Sequence, residues 1–86
     1  MENSYEKEQN MVCAKIERII TAMISSCLNP QEIAVKAGVS VNIVYRMRKG
    51  YLVKMDCFGK VCKALGIKPE EVIDYDRINK TVVKKE

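Results

Sequence analysis

The stretch from Asn29 to Gly50 constrains this chain most, because two helix starts and two helix stops are packed into it. Asn29-Pro30-Gln31-Glu32 opens the first of these helices. An asparagine side chain can accept from an amide two or three residues on. Proline sits at the first helical position, where its missing N–H has no intrahelical partner to lose. Glu32 falls at the third position and can reach back to the Asn29 N–H, closing a capping box. The spacing predicts a helix from Pro30 to about Ala37 with Ile33, Ala34 and Ala37 inward. Gly38 ends it, since glycine takes the left-handed conformation with no Cβ penalty. Val39 then packs, Ser40 can cap a second start, and a helix runs from Val41 to about Lys49 before Gly50 stops it.

Only Gly38–Ser40 separates these two helices, which forces a sharp corner, and small Ala34 near the crossing allows close approach. Two short helices at a fixed angle with glycine between them form a helix-turn-helix. On the N-terminal side, Met11–Leu28 reads as helix: Val12, Ile16, Ile19, Ile20, Met23, Ile24 and Cys27 recur at threes and fours. Lys15, Glu17, Arg18, Thr21 and Ser25 make its polar face. Near Ile19–Ile24 it is apolar over more than one stripe, which fits either the most buried helix or one that meets a partner subunit. A loop, Tyr51–Lys54, leads to a fourth helix from Met55 or Asp56 to Leu65, with Phe58, Val61, Cys62 and Leu65 inward. Lys68-Pro69-Glu70-Glu71 opens a short fifth helix to about Asp74, whose Val72 and Ile73, with Ile67, close the core. The expected architecture is all-α: one five-helix domain over residues 11–75, a flexible segment over 1–10, and a tail over 76–86 that is disordered or dimer-associated.

Composition excludes several classes. At 86 residues the chain makes one small domain that can bury roughly 60–65% of its unfolded surface. Its 48% hydrophobic and 30% charged residues are globular proportions. With 15 Lys and Arg against 11 Asp and Glu, the net charge of +4 hints modestly at an acidic or nucleic-acid partner. The first ten residues are polar and carry no apolar run, so no secretory leader is expected. The four cysteines are then expected as reduced thiols of a cytoplasmic protein. Cys13, Cys27, Cys57 and Cys62 occupy or border apolar faces and read as core or half-buried thiols, with Cys57 the least protected. No run approaches the ~18 apolar residues of a membrane span. Without histidine or a C-x-x-C pair, no metal site is expected, and no cofactor is implied. There is no glycine-rich phosphate loop, no convergent carboxylate pair and no base beside a cysteine, so no enzyme is expected.

The helix after Ser40 carries the chemistry. With Val44 and Met47 inward, Asn42 and Lys49 lie opposite at about 100° per residue, flanked by Tyr45 and Arg46, with Val41 at the leading end. The DNA major groove admits one α-helix. Asparagine can pair bidentately with adenine, arginine with guanine, and valine can meet a thymine methyl. Arg46, Arg48, Lys49 and Lys54 gather while the rest of the chain is nearly balanced, and Lys49, Tyr51 and Lys54 can reach phosphates. The N-terminus of the helix that begins at Pro30-Gln31 presents free amides that suit a phosphate as well. The plain alternative is a solvated helix face on a small helical protein.

Leu28–Leu65 resembles the lambda-repressor-like, Cro/cI-type (XRE-like) helix-turn-helix family. The resemblance rests on Leu28-Asn29, Glu32-Ile33-Ala34, Ala37-Gly38-Val39-Ser40, Val44, Met47, Gly50, Ala64-Leu65-Gly66 and Pro69-Glu70-Glu71-Val72-Ile73. It implies binding of double-stranded operator DNA, usually a palindrome, by a homodimer that regulates transcription, typically as a phage or mobile-element repressor. It makes Val41, Asn42, Tyr45 and Arg46 the base-reading positions, and Gln31, Ser40, Arg48, Lys49, Tyr51 and Lys54 the backbone contacts. Ser40 caps the recognition helix. A dimer seam through Ile73, Tyr75 and Ile78 is expected. The sequence departs from the family pattern at Pro30, where glutamine is usual, and at Val41, where a polar reader is usual. Arg48 and Met23 stand where many members carry a glutamate–arginine pair. The alternative function is a protein-interaction module on the same fold, such as an antitoxin, antirepressor or accessory factor. It is motivated by Pro30, Val41 and the apolar first helix.

Overall fold

The computed structural model describes residues 11–78. Its elements are β1 (Met11–Val12), α1 (Ile16–Ser26), α2 (Pro30–Ala37), α3 (Val41–Arg48), β2 (Val53–Lys54), α4 (Met55–Leu65) and α5 (Pro69–Val72). The backbone is helical again over 75–78. The helical architecture and its order match the sequence reading, with a minor two-stranded sheet added. Residues 76–78, placed by the sequence in a tail over 76–86 expected to be disordered or dimer-associated, are part of the helical turn at 75–78, while 1–10 and 79–86 lie outside the described residues.

The capping box forms as the sequence dictates. Glu32 N–H donates to Asn29 Oδ1 at 2.8 Å, and Asn29 N–H donates to Glu32 Oε1 at 2.9 Å. Gly38 takes φ +77°, and the Gly38 and Val39 amides both donate to the Ala34 carbonyl, at 2.8 and 3.1 Å. The chain is thereby turned from α2 into α3 over three residues, with Ala34 buried at the corner. Ser40 holds the extended backbone of an N-cap but makes no side-chain capping bond. The Ile43 amide, which a capping serine would take, donates instead to the Ser40 carbonyl at 3.1 Å, tightening the first turn.

Met11–Ala14 is extended, not helical as the periodicity predicted. Met11 pairs with Lys54 and Val12 with Val53 in an antiparallel ladder, and Ala14 bridges Ile73. Lys15 N–H donates to Val72 O at 2.7 Å and Asp74 N–H to Cys13 O at 2.9 Å. Val12, Cys13 and Ala14 are all buried, which an extended strand sandwiched between two segments achieves. Three consecutive helical positions would sweep about 200° and expose one of them. The same pairing shortens α5: Ile73 turns extended to meet Ala14, so the helix ends at Val72.

Ile19, Ile33, Val44, Met47, Val53, Phe58, Val61 and Cys62 form the dry centre, one contiguous cluster fed by α1–α4 and β2. Among the described residues no polar or charged side chain is fully buried. Cohesion thus rests on apolar burial, worth about 1.5–3 kcal/mol per large side chain. Cys27, expected on the apolar face of α1, is exposed: it ends that helix in the left-handed conformation at φ +61°, which turns its side chain off the stripe.

Candidate nucleic-acid interface

Val44 and Met47 are wholly buried, and they anchor α3 to the core from below. That leaves Asn42, Tyr45, Arg46, Arg48 and Lys49 exposed along the helix, with Val41 half-buried at its start and packed on the core margin. Ser40 is exposed beside Val41, and Gln31 is exposed in the first turn of α2. Beyond α3, Tyr51 is half-exposed and Lys54 exposed on β2. A shallow cavity of about 440 Å³ separates the start of α3 from α4. Ser40, Ile43 and Arg46 line one wall, and Lys54, Cys57 and Lys60 line the other.

Charge is segregated along this part of the chain. Between Glu32 and Asp56 the sequence carries Lys36, Arg46, Arg48, Lys49 and Lys54 and no carboxylate. Lys60, which the sequence reading passed over, adds a further cation at the cavity wall. Acidic side chains gather elsewhere: Glu17 and Glu71 line a separate groove between α1 and α5, where Arg18 Nη1 donates to the Glu71 carbonyl at 3.5 Å.

Two cations are committed to local partners. Arg46 donates from Nε and Nη2 to the Leu52 carbonyl, at 3.2 and 2.8 Å, and its guanidinium lies 5.5 Å from the centroid of the Tyr51 ring. Arg48 lies 5.8 Å from the Tyr45 ring centroid, one helical turn back. It also rims a small apolar groove with Ile20, Ile24, Leu28 and Pro30. No sequence signal announces the Arg46–Leu52 fork, because it depends on how the loop after α3 folds back. Met23 is buried and Arg48 exposed, so the missing glutamate–arginine pair leaves no charge stranded in the core.

The expected seam residues divide. Ile73 and Ile78 are half-buried and pack on the chain's own core, whereas Tyr75 is 57% exposed. The thiols offer no nucleophile inside the fold. Burial pushes Cys62 up to about 11. Cys13 is also raised, by burial first and by Asp74, against an opposing pull from Arg77. Cys27 is exposed and Cys57 half-buried, so Cys57 is not the least protected thiol. Among the described residues no cluster of cysteine and carboxylate side chains could hold a metal ion. No helix among them is long and apolar enough to cross a membrane.

No curated protein and no solved structure matches this chain. The sequence profile of the Cro/C1-type HTH DNA-binding domain matches residues 18–77. That match runs from the first turn of α1 to the helical segment at 75–78 and takes in the α2–α3 corner and the whole exposed face described above. It covers well over half of the sequence, and the chain belongs to the Cro/C1-type helix-turn-helix DNA-binding domain family.

Proposed function

We propose that this chain is a sequence-specific transcriptional regulator acting as a repressor in the cytoplasm, and that it lays α3 in the major groove of a palindromic operator as a homodimer. The observation that carries this reading is the two-sidedness of α3: Val44 and Met47 are fully buried while Asn42, Tyr45 and Lys49 stand exposed on the far side. A helix held rigidly from below can carry an amide and a phenol to base edges, with an ammonium beside them for a phosphate. Val41 meets a thymine methyl. Gln31, Ser40, Arg48, Lys49, Tyr51 and Lys54 contact phosphate and sugar. A domain this small covers few phosphates, so two copies on two half-sites raise both affinity and specificity. Tyr75 supplies the exposed apolar surface nearest the expected seam.

Selection of bound duplexes from a random pool tests this. The expected product is a two-fold symmetric motif whose half-sites lie about one helical turn apart, roughly 10 base pairs. Failure to retain any duplex at ~50 mM salt overturns the reading. A second reading draws on the apolar groove of Ile20, Ile24, Leu28 and Pro30, with Ile24 71% exposed. There the fold serves as a protein-interaction module such as an antitoxin, antirepressor or accessory factor, and selection returns no motif.

A further inference from the structure

The Arg46 side chain and main chain grip the same loop. Its carbonyl accepts from the Lys49 and Tyr51 amides, at 3.2 and 2.9 Å. Its guanidinium donates twice to the Leu52 carbonyl and lies against the Tyr51 ring. Leu52 leads directly into β2, whose Val53 and Lys54 are held by the ladder to β1. The segment between α3 and β2 is therefore tied at its far end by strand pairing and along its length by one arginine. An arginine that reads guanine through its Nε–Nη2 edge would have to surrender both bonds to Leu52. The exposed Leu52 carbonyl would pass to water, and the loop would lose the side-chain tie that holds its shape.

We propose that Arg46 is a positioning residue and not a base reader: it fixes Tyr51 and the loop before Lys54 so that the Tyr51 hydroxyl meets a DNA phosphate. This rests on the DNA-binding reading above and changes the division of labour within it. Base discrimination passes to Asn42 and Tyr45, while Arg46 sets affinity by holding the loop in its bound shape before DNA arrives, which lowers the ordering cost of binding. The guanidinium suits this role, because its planar fork can span one carbonyl while its face covers an aromatic ring.

The test compares wild type, Arg46→Ala, Arg46→Lys, Tyr51→Phe and the Arg46→Ala/Tyr51→Phe double variant. Each binds the selected operator, a panel of single-base variants of it, and a scrambled duplex. The expected result is that Arg46→Ala weakens operator and scrambled duplex alike, by about tenfold or more, with the order of base preference unchanged. Tyr51→Phe should then add little in the Arg46→Ala background, and Arg46→Lys should recover part of the loss. A variant that merely lost stability would show neither the coupling nor the rescue when measured well below its unfolding temperature. Relaxed preference at one base pair, with scrambled-duplex binding unchanged, overturns the proposal, as does additivity of the two substitutions. On ¹⁵N-labelled wild type, the Arg46 Nε–H should stay protected from solvent exchange when operator is added while the Leu52 contact persists. Its transfer to a base overturns the proposal without any variant. Wild type that binds no duplex overturns the functional reading itself, and this proposal with it.

Discussion

The Arg77 guanidinium lies so close to Gly50 that a Cβ on that glycine would stand 2.7 Å from Arg77 Nη1. The same Cβ would meet Ile16 Cγ1 at 2.9 Å, and Gly50 itself is buried with φ +78°. The end of α3, the start of α1 and the helical segment at 75–78 therefore converge on one hydrogen atom.

Gly50→Ala should for that reason be among the more damaging single substitutions. The left-handed backbone costs an L-residue about 1–2 kcal/mol. The flexible tip of Arg77 can swing away cheaply, but Ile16 Cγ1 sits near the root of its side chain and moving it adds about 1 kcal/mol or more. Gly38→Ala provides the control: φ is +77°, yet nothing lies within 4 Å of its added Cβ, so only the backbone term applies. Urea unfolding of both variants should show Gly50→Ala the less stable by more than ~1 kcal/mol. Equal losses would mean that Arg77 and Ile16 yield freely.

The capping box at Asn29 and Glu32 should be worth about 1 kcal/mol, read as the stability lost in Asn29→Ala. Asn29→Asp should lose little, because a carboxylate accepts the same Glu32 amide and sits well at a helix N-terminus. Thermal melts of the two variants provide the comparison.

On the face of α3 proposed to meet DNA, Asn42→Ala should reduce operator affinity by about 1–3 kcal/mol while leaving scrambled-duplex binding unchanged. Lys49→Ala and Lys54→Ala should weaken both duplexes, and each should lower the slope of log K against log salt by about 0.9 per protomer, roughly 1.8 for the dimer. Fluorescence titrations over a salt series separate the two behaviours.

The thiols should react in the order of their exposure. Cys27 should be alkylated first and Cys57 more slowly, whereas Cys13 and Cys62 should be modified only on unfolding. Cys62 also links stability to pH. Its folded pKa is raised from 9.0 to about 11, so between those values the unfolded chain releases a proton that the folded chain keeps. Stability is therefore fully present below pH 9 and falls as pH rises toward 11. Denaturation midpoints should decline less steeply over this window in Cys62→Ala than in wild type, even though the smaller side chain lowers stability throughout.

The local grammar of the helices was legible because its causes are local. Asn29, Pro30, Glu32 and Gly38 act on backbone groups within four residues, so α2 and the corner into α3 follow from their order alone. The inward placement of Val44 and Met47 follows from helical period, and with it the exposure of Asn42, Tyr45 and Lys49. Ser40 shows the margin of such reasoning: the right residue stands at the N-cap, but its own carbonyl satisfies the Ile43 amide that its hydroxyl was expected to take.

By itself the sequence determined the helices Pro30–Ala37, Val41–Arg48 and Met55–Leu65, the capping box at Asn29, the left-handed stop at Gly38, the apolar positions of these helices that become core and the run of cations from Lys36 to Lys54. Each depends on spacing along one helix or on composition. Only the tertiary structure decided that Met11–Ala14 is extended, that Arg46 turns back onto Leu52 and Tyr51, and that Arg77 settles against Gly50. In each of these the partner is supplied by a loop closure or by a distant part of the chain. A backbone amide or a guanidinium takes whichever acceptor packing brings within about 3 Å, and no periodicity records which one that will be.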